Sequence, residues 1–166
     1  MSAFWSYFWP VFGAGLLFGI IAGAIGFRPH AKRNLALLIG VAASVVAAGL
    51  WHGPLGAADR FAAKVERTAR ETLVYYEMPE VTAHLHHGPL TRRLLLTGPA
   101  DDFQASELVR IMGSLPGVSS ARWSASGGGI PLIVEGAAAA VLGFLFGLLL
   151  AYLVELRRRY NAQWNW

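Results

Sequence analysis

Cysteine is absent from the 166 residues, which removes disulfides and thiolate metal sites from consideration. Charge is scarce as well. Asp, Glu, Lys and Arg make up 14% of the chain, against about 25% in an average soluble domain. What charge there is lies in clusters, and residues 1–27, 35–58, 123–134 and 136–154 carry none at all. Gaps of that length exclude an ordinary soluble enzyme. Disorder is excluded too, because six Trp, five Tyr and nine Phe exceed what a disordered chain holds.

The uncharged runs are what the chain has instead. Crossing the hydrocarbon takes about 20 apolar residues in a helix. Residues 4–27 meet that length, 35–51 form a shorter second span, and 130–154 form a third with Glu135 near its start. Pro10 falls close enough to the start of the first run for a helix to tolerate it. No basic residue precedes that run and Arg28 follows it, the reverse of a secretory signal peptide, so the expectation is a retained span.

Basic residues near span ends set orientation. Loop 28–34 carries Arg28, Lys32 and Arg33, and the tail 155–166 carries Arg157, Arg158 and Arg159. A three-span threading puts both clusters on one side, the cytoplasmic one, with the N-terminus outside. Trp5, Tyr7, Trp9 and Trp51 then mark the outer interface, and Tyr152, Tyr160, Trp164 and Trp166 the inner one. The net charge of +4 therefore reports threading and attraction to anionic headgroups, and no nucleic-acid partner is expected. The eight acidic and eight basic residues of 52–129 balance.

Segment 52–123 reads as an outer module. Residues 57–76 place Phe61, Val65, Thr68/Ala69, Thr72 and Tyr76 at helical spacing. In 81–87, Val81, Ala83 and Leu85 alternate with Thr82, His84 and His86, as in a half-buried strand. Gly88-Pro89 signals a turn, and 90–98 supplies the second strand of a hairpin. Asp101 or Asp102 can cap the next helix, with Gln104 completing a capping box, and Phe103, Leu108, Ile111, Met112 and Leu115 are expected to face inward. Leu115-Pro116-Gly117 stops that helix, 118–123 is a third strand, and 124–129 is a linker.

The fold class is therefore a membrane protein, α-helical with three transmembrane helices, carrying a small α+β (α-β-β-α-β) extramembrane domain between helices two and three. Residues 1–51 form a hairpin of two spans. The strand Leu94–Gly98, the helix 102–114 and the Gly117-Val118 turn leading to Trp123 resemble the BON domain of bacterial envelope proteins, over residues 57–123 only. The stretch Gly88-Pro89-Leu90-Thr91-Arg92-Arg93 departs from that pattern, which has a glycine shortly before the second strand's apolar run. The resemblance implies a periplasmic, non-catalytic module that contacts phospholipid or neighbouring proteins.

Several residues carry possible chemistry. His84 and His86 share a strand face as weak metal candidates, but zinc takes three or four ligands and no carboxylate pair is clearly placed beside them, so no metal is expected. No histidine lies within a span, which disfavours haem, and no cofactor is expected. Glu135 is an ionisable group inside a span, a functional hypothesis by default; pairing with a cation on another subunit and proton movement are both open. Gly15, Gly19 and Gly23, like Gly143 and Gly147, recur every fourth residue and allow close helix approach. There is no phosphate-binding glycine loop and no G-x-S-x-G nucleophile setting.

The expected function is a non-catalytic inner-membrane interaction protein. It would be an accessory or scaffold subunit of a larger membrane assembly, such as a respiratory or photosynthetic one, with other integral membrane subunits and phospholipid as partners. The alternative is a channel or transporter component, homo-oligomeric through the glycine rows, with Glu135 on the pathway.

Overall fold

The computed structural model describes residues 2–28, 32–123 and 129–163, with the side chain of residue 163 excepted. Residues 29–31 of the basic loop, 124–128 of the expected linker, and Trp164 and Trp166 lie outside the described residues. The elements run α1 (Ala3–Gly26), α2 (Arg33–His52), α3 (Ala57–Tyr75), β1 (Thr82–His87), β2 (Leu90–Thr97), α4 (Asp102–Gly113), β3 (Ser120–Trp123) and α5 (Leu132–Gln163). The chain is mostly helical. Helices α1, α2 and α5 are long and apolar enough to cross a membrane, and a single three-stranded sheet of order β1-β2-β3 accompanies them.

Contacts divide the chain into two units, and the division differs from the expected blocks. One unit joins the residues through Tyr7 to Gly56–Glu135; the other joins Phe8–Leu55 to the chain from Gly136 onward. The first turns of α1 and α5 thus belong with the sheet, because side chains from those turns complete its core.

That core follows from strand alternation. Ala83 and Leu85 of β1 stand opposite Leu96 and Leu94 of the antiparallel β2, and Ala121 of β3 pairs with Leu94 in parallel register. All five are buried, together with Val81. From the helices come Phe61, Ala62, Val65, Ala69 and Leu73 of α3 and Leu108 and Met112 of α4. Burying a side chain of Leu or Phe size contributes roughly 1.5–3 kcal/mol, so this set outweighs any polar contact in the unit. Tyr7, buried, lays its ring edge-on to Phe61 with centroids 5.7 Å apart, and Leu132 at the start of α5 is fully covered.

Two inward assignments are corrected. Phe103 is 75% exposed, because at about 100° per residue it points roughly half a turn away from Met112. Tyr76 lies beyond the last residue of α3 and is exposed; the buried stripe continues through Leu73 instead. Gly98 and Gly117 have positive φ, 144° and 106°, and a Cβ there would crowd the Glu80 carbonyl oxygen at 2.8 Å and the Val65 side chain at 3.0 Å. Only glycine fits both demands.

The start of α4 forms the expected capping box: Gln104 N–H donates to Asp101 Oδ1 at 2.7 Å, and Asp101 N–H donates to Gln104 Oε1 at 3.1 Å. Asp101→Ala is expected to cost about 1 kcal/mol. The check is amide hydrogen exchange in α4, which should accelerate about fivefold while β1 and β2 amides keep their rates.

In the second unit, the glycine rows are occupied within the chain. A Cβ on Gly15 would strike the Ala140 carbonyl and one on Gly19 the Phe144 carbonyl; Gly143 and Gly147 face the backbones at Phe12 and Leu16, and Gly23 faces the Ala151 methyl. Backbones of α1 and α5 therefore touch along three turns. Helix α2 joins through Gly40, which abuts Ala22 and the Phe144 ring; Ser44, one turn on and also buried, satisfies its hydroxyl within α2 by donating to the Gly40 carbonyl at 2.8 Å. Pro10 sits inside α1 without ending it. Helix α5 continues past the expected span end at residue 154, and Arg159 donates to Glu155 at 2.9 Å one turn back within that extension. Its 32 residues span about 48 Å, beyond the roughly 30 Å of hydrocarbon.

Candidate functional site

Glu135 lies in the first turn of α5 and is not a lone charge. Arg92 of β2 donates its Nε–H to Glu135 Oε2 at 2.5 Å, and each side chain is 20% exposed. The Arg92 guanidinium carbon also lies 5.4 Å from the centroid of the Phe4 ring, in cation–π range. The Arg92 carbonyl is held on its other side by Ser119, whose N–H and hydroxyl donate to it at 2.8 and 3.1 Å. Thr91, fully buried, bridges to Pro131 just ahead of α5. One strand residue thus ties together the start of α1, the start of α5 and the entry to β3.

The sequence points Glu135 to a cation on another subunit, whereas the partner is Arg92 of the same chain, and a signal for it exists. Strand alternation puts Arg92 on the same face as Leu94 and Leu96, the apolar face, and a cation there needs a counter-charge. Glu135 is the carboxylate that an otherwise apolar run carries. Local patterns identify each as anomalous but leave them 43 residues apart.

The histidines are not brought together as ligands. His84 is exposed on the sheet face opposite the helices, His86 places Nδ1 3.1 Å from the Pro89 carbonyl, and His87 places Nε2 3.3 Å from Glu66 Oε1. The same Glu66 oxygen accepts the Leu85 N–H at 2.9 Å, so this carboxylate covers an edge donor of β1. Among the described residues, no group of three His, Asp or Glu is placed to hold a metal ion.

The module's surface carries an apolar run at the end of α3. Val74, Tyr75 and Tyr76 are all exposed, Tyr75 by 80%, and the two tyrosine rings meet edge-to-face at 5.2 Å. On α4, Arg110 Nη2 donates to Glu107 at 2.6 Å, and that hydrogen bond holds the Glu107 carboxyl below the usual carboxylate range. The pair's contribution is present above that range and fades as pH falls through the lowered value; on a fully exposed face it is small.

No family model matches the chain, and no match was found among curated proteins or solved structures.

Proposed function

We propose that the chain is a non-catalytic accessory or scaffold subunit of a membrane assembly. In this reading α1, α2 and α5 span a bacterial inner membrane, N-terminus outside and C-terminus inside, and residues 57–123 act as a BON-like periplasmic contact module. The observation that carries it is the exposed Val74-Tyr75-Tyr76 run on a module whose core is otherwise complete: contiguous apolar surface of this kind marks a contact site, and tyrosine is enriched in such sites. The basic ends Arg28 to Arg33 and Arg157 to Arg159 support the orientation. The alternative, a channel or transporter component with Glu135 on the pathway, has less support, since Arg92 engages that carboxylate and the glycine rows meant for oligomerisation pack α1 on α5.

A photo-cross-linking residue at Tyr75, compared with one at Arg67 on another part of α3, tests the reading in native membranes. The expected result is one discrete higher-mass adduct from position 75 and none from 67, lost when Val74 and Tyr76 are changed to serine. A lone monomer in mild detergent, with no adduct from position 75, would overturn it.

A further inference from the structure

At the end of α1, the start of α2 and the far part of α5, all within one unit, the structure forms an open cavity of about 1080 Å³, slightly above the roughly 300–1,000 Å³ of small-molecule sites. Arg28, Lys32, Arg33 and Arg159 line it against a single acid, Glu155. Glu155 already pairs with Arg159, and Arg159 is further fixed by donating to the Phe27 carbonyl at 3.4 Å. Among the described residues, Arg28, Lys32 and Arg33 have no ion-pair partner. Three cations gathered in one concavity whose one lining acid, Glu155, is already paired repel one another, and a bound anion relieves that repulsion.

The walls are not those of a site for a free ion. Phe27 and Tyr152 stack edge-to-face at 5.9 Å, and Leu35 and Leu156 add apolar surface to the same cavity. A second groove of about 220 Å³ adjoins it through Phe27, Arg28 and Glu155 and runs between α1 and α5, walled by Ile20, Ala24, Leu150 and Val154. A cationic bowl opening into an apolar cleft has the two-part chemistry of a lipid: a phosphate head and an acyl chain.

We propose that this bowl and cleft form a binding site for one anionic glycerophospholipid, its phosphate held by Arg28 and Arg33 and one acyl chain laid between α1 and α5. Basic pockets between membrane helices take headgroups by the same physics. The site rests on the reading that these helices span a membrane, and it is independent of what the outer module contacts.

The test uses the full chain in neutral-detergent micelles, with bound lipid counted by native mass spectrometry during titration with phosphatidylglycerol, phosphatidylethanolamine or glycerol 3-phosphate. One phosphatidylglycerol is expected to be retained at least about tenfold more tightly than phosphatidylethanolamine. Arg28→Gln with Arg33→Gln should weaken phosphatidylglycerol about 25-fold, at roughly fivefold per lost cation, leaving phosphatidylethanolamine unchanged. The Arg28→Lys, Arg33→Lys pair keeps the charge and should retain most of the binding, which separates loss of the site from loss of the fold. Ala24→Leu fills the cleft and should weaken the lipid but not glycerol 3-phosphate. Equal binding of the two lipids, or a double Gln variant that is folded and binds normally, would overturn the proposal. So would glycerol 3-phosphate binding as tightly as phosphatidylglycerol, which would make this a site for a soluble phosphate ester. A chain that leaves the membrane fraction altogether overturns the spanning reading instead, a distinguishable failure.

Discussion

Gly19→Val is expected to destabilise the helical unit by about 3 kcal/mol, the upper end of the usual cost of overpacking. The added Cβ falls on the carbonyl of Phe144 and within 3.0 Å of the Gly147 Cα. Both are backbone, so no rotamer change relieves the clash and α1 must separate from α5. Separation forfeits the close van der Waals contact on which helix association in lipid depends. Gly147→Val should cost a similar amount, and the double variant less than the sum of the two, because both act on the same approach. Gly13→Ala is the matched control. Nothing lies within 4 Å of a Cβ at that position, so replacing a helical glycine should be neutral or stabilise by up to about 1 kcal/mol. The measurement is the midpoint of helix loss as a denaturing detergent is titrated into mixed micelles. An oligomer that dissociates in Gly19→Val while each chain keeps its midpoint would show that the glycine row faces another copy, contrary to the packing described here.

That contrast marks where the sequence stops being informative. A row of glycines at intervals of four says that some backbone comes close; it does not say whose. The surfaces that receive Gly15 and Gly19, at Ala140 and Phe144, lie more than a hundred residues later, and no local pattern links them. Strand β1 was legible because its alternation has a period of two and one face is buried, so Ala83 and Leu85 sort from Thr82 and His84 without knowledge of the partner strand. The capping box was legible because Asp101 and Gln104 are neighbours. Phe103 was misassigned for a related reason: size and apolarity suggest burial, but helical phase decides it, and Phe103 faces away from Met112. The pairing of Arg92 with Glu135 depends on how the sheet unit gathers the first turn of α5, which is information held by the fold.

Glu135→Ala is expected to cost about 2–3 kcal/mol, below the roughly 3–5 kcal/mol of breaking a fully buried pair because both side chains keep 20% exposure. The loss has two parts. The hydrogen bond to Arg92 disappears, and the guanidinium is left on an apolar strand face with only the Phe4 ring and residual water to stabilise it. The favourable position of a carboxylate in the first turn of α5 is lost as well. Arg92→Met should cost a similar amount by stranding Glu135. The double variant Arg92→Met, Glu135→Leu should recover most of the loss, since an apolar pair of like volume removes both desolvation costs together. With Glu135→Leu as the matching single variant, a coupling of about 3 kcal/mol across this cycle, read from thermal unfolding of the sheet unit, is the expected signature. Additive single costs, with Glu135→Gln abolishing an ion flux at unchanged stability, would instead favour the channel alternative. The pair thus separates the two readings by a stability measurement: a residue that fastens a strand to two helix starts moves the unfolding midpoint, whereas a residue on a conduction path moves the flux.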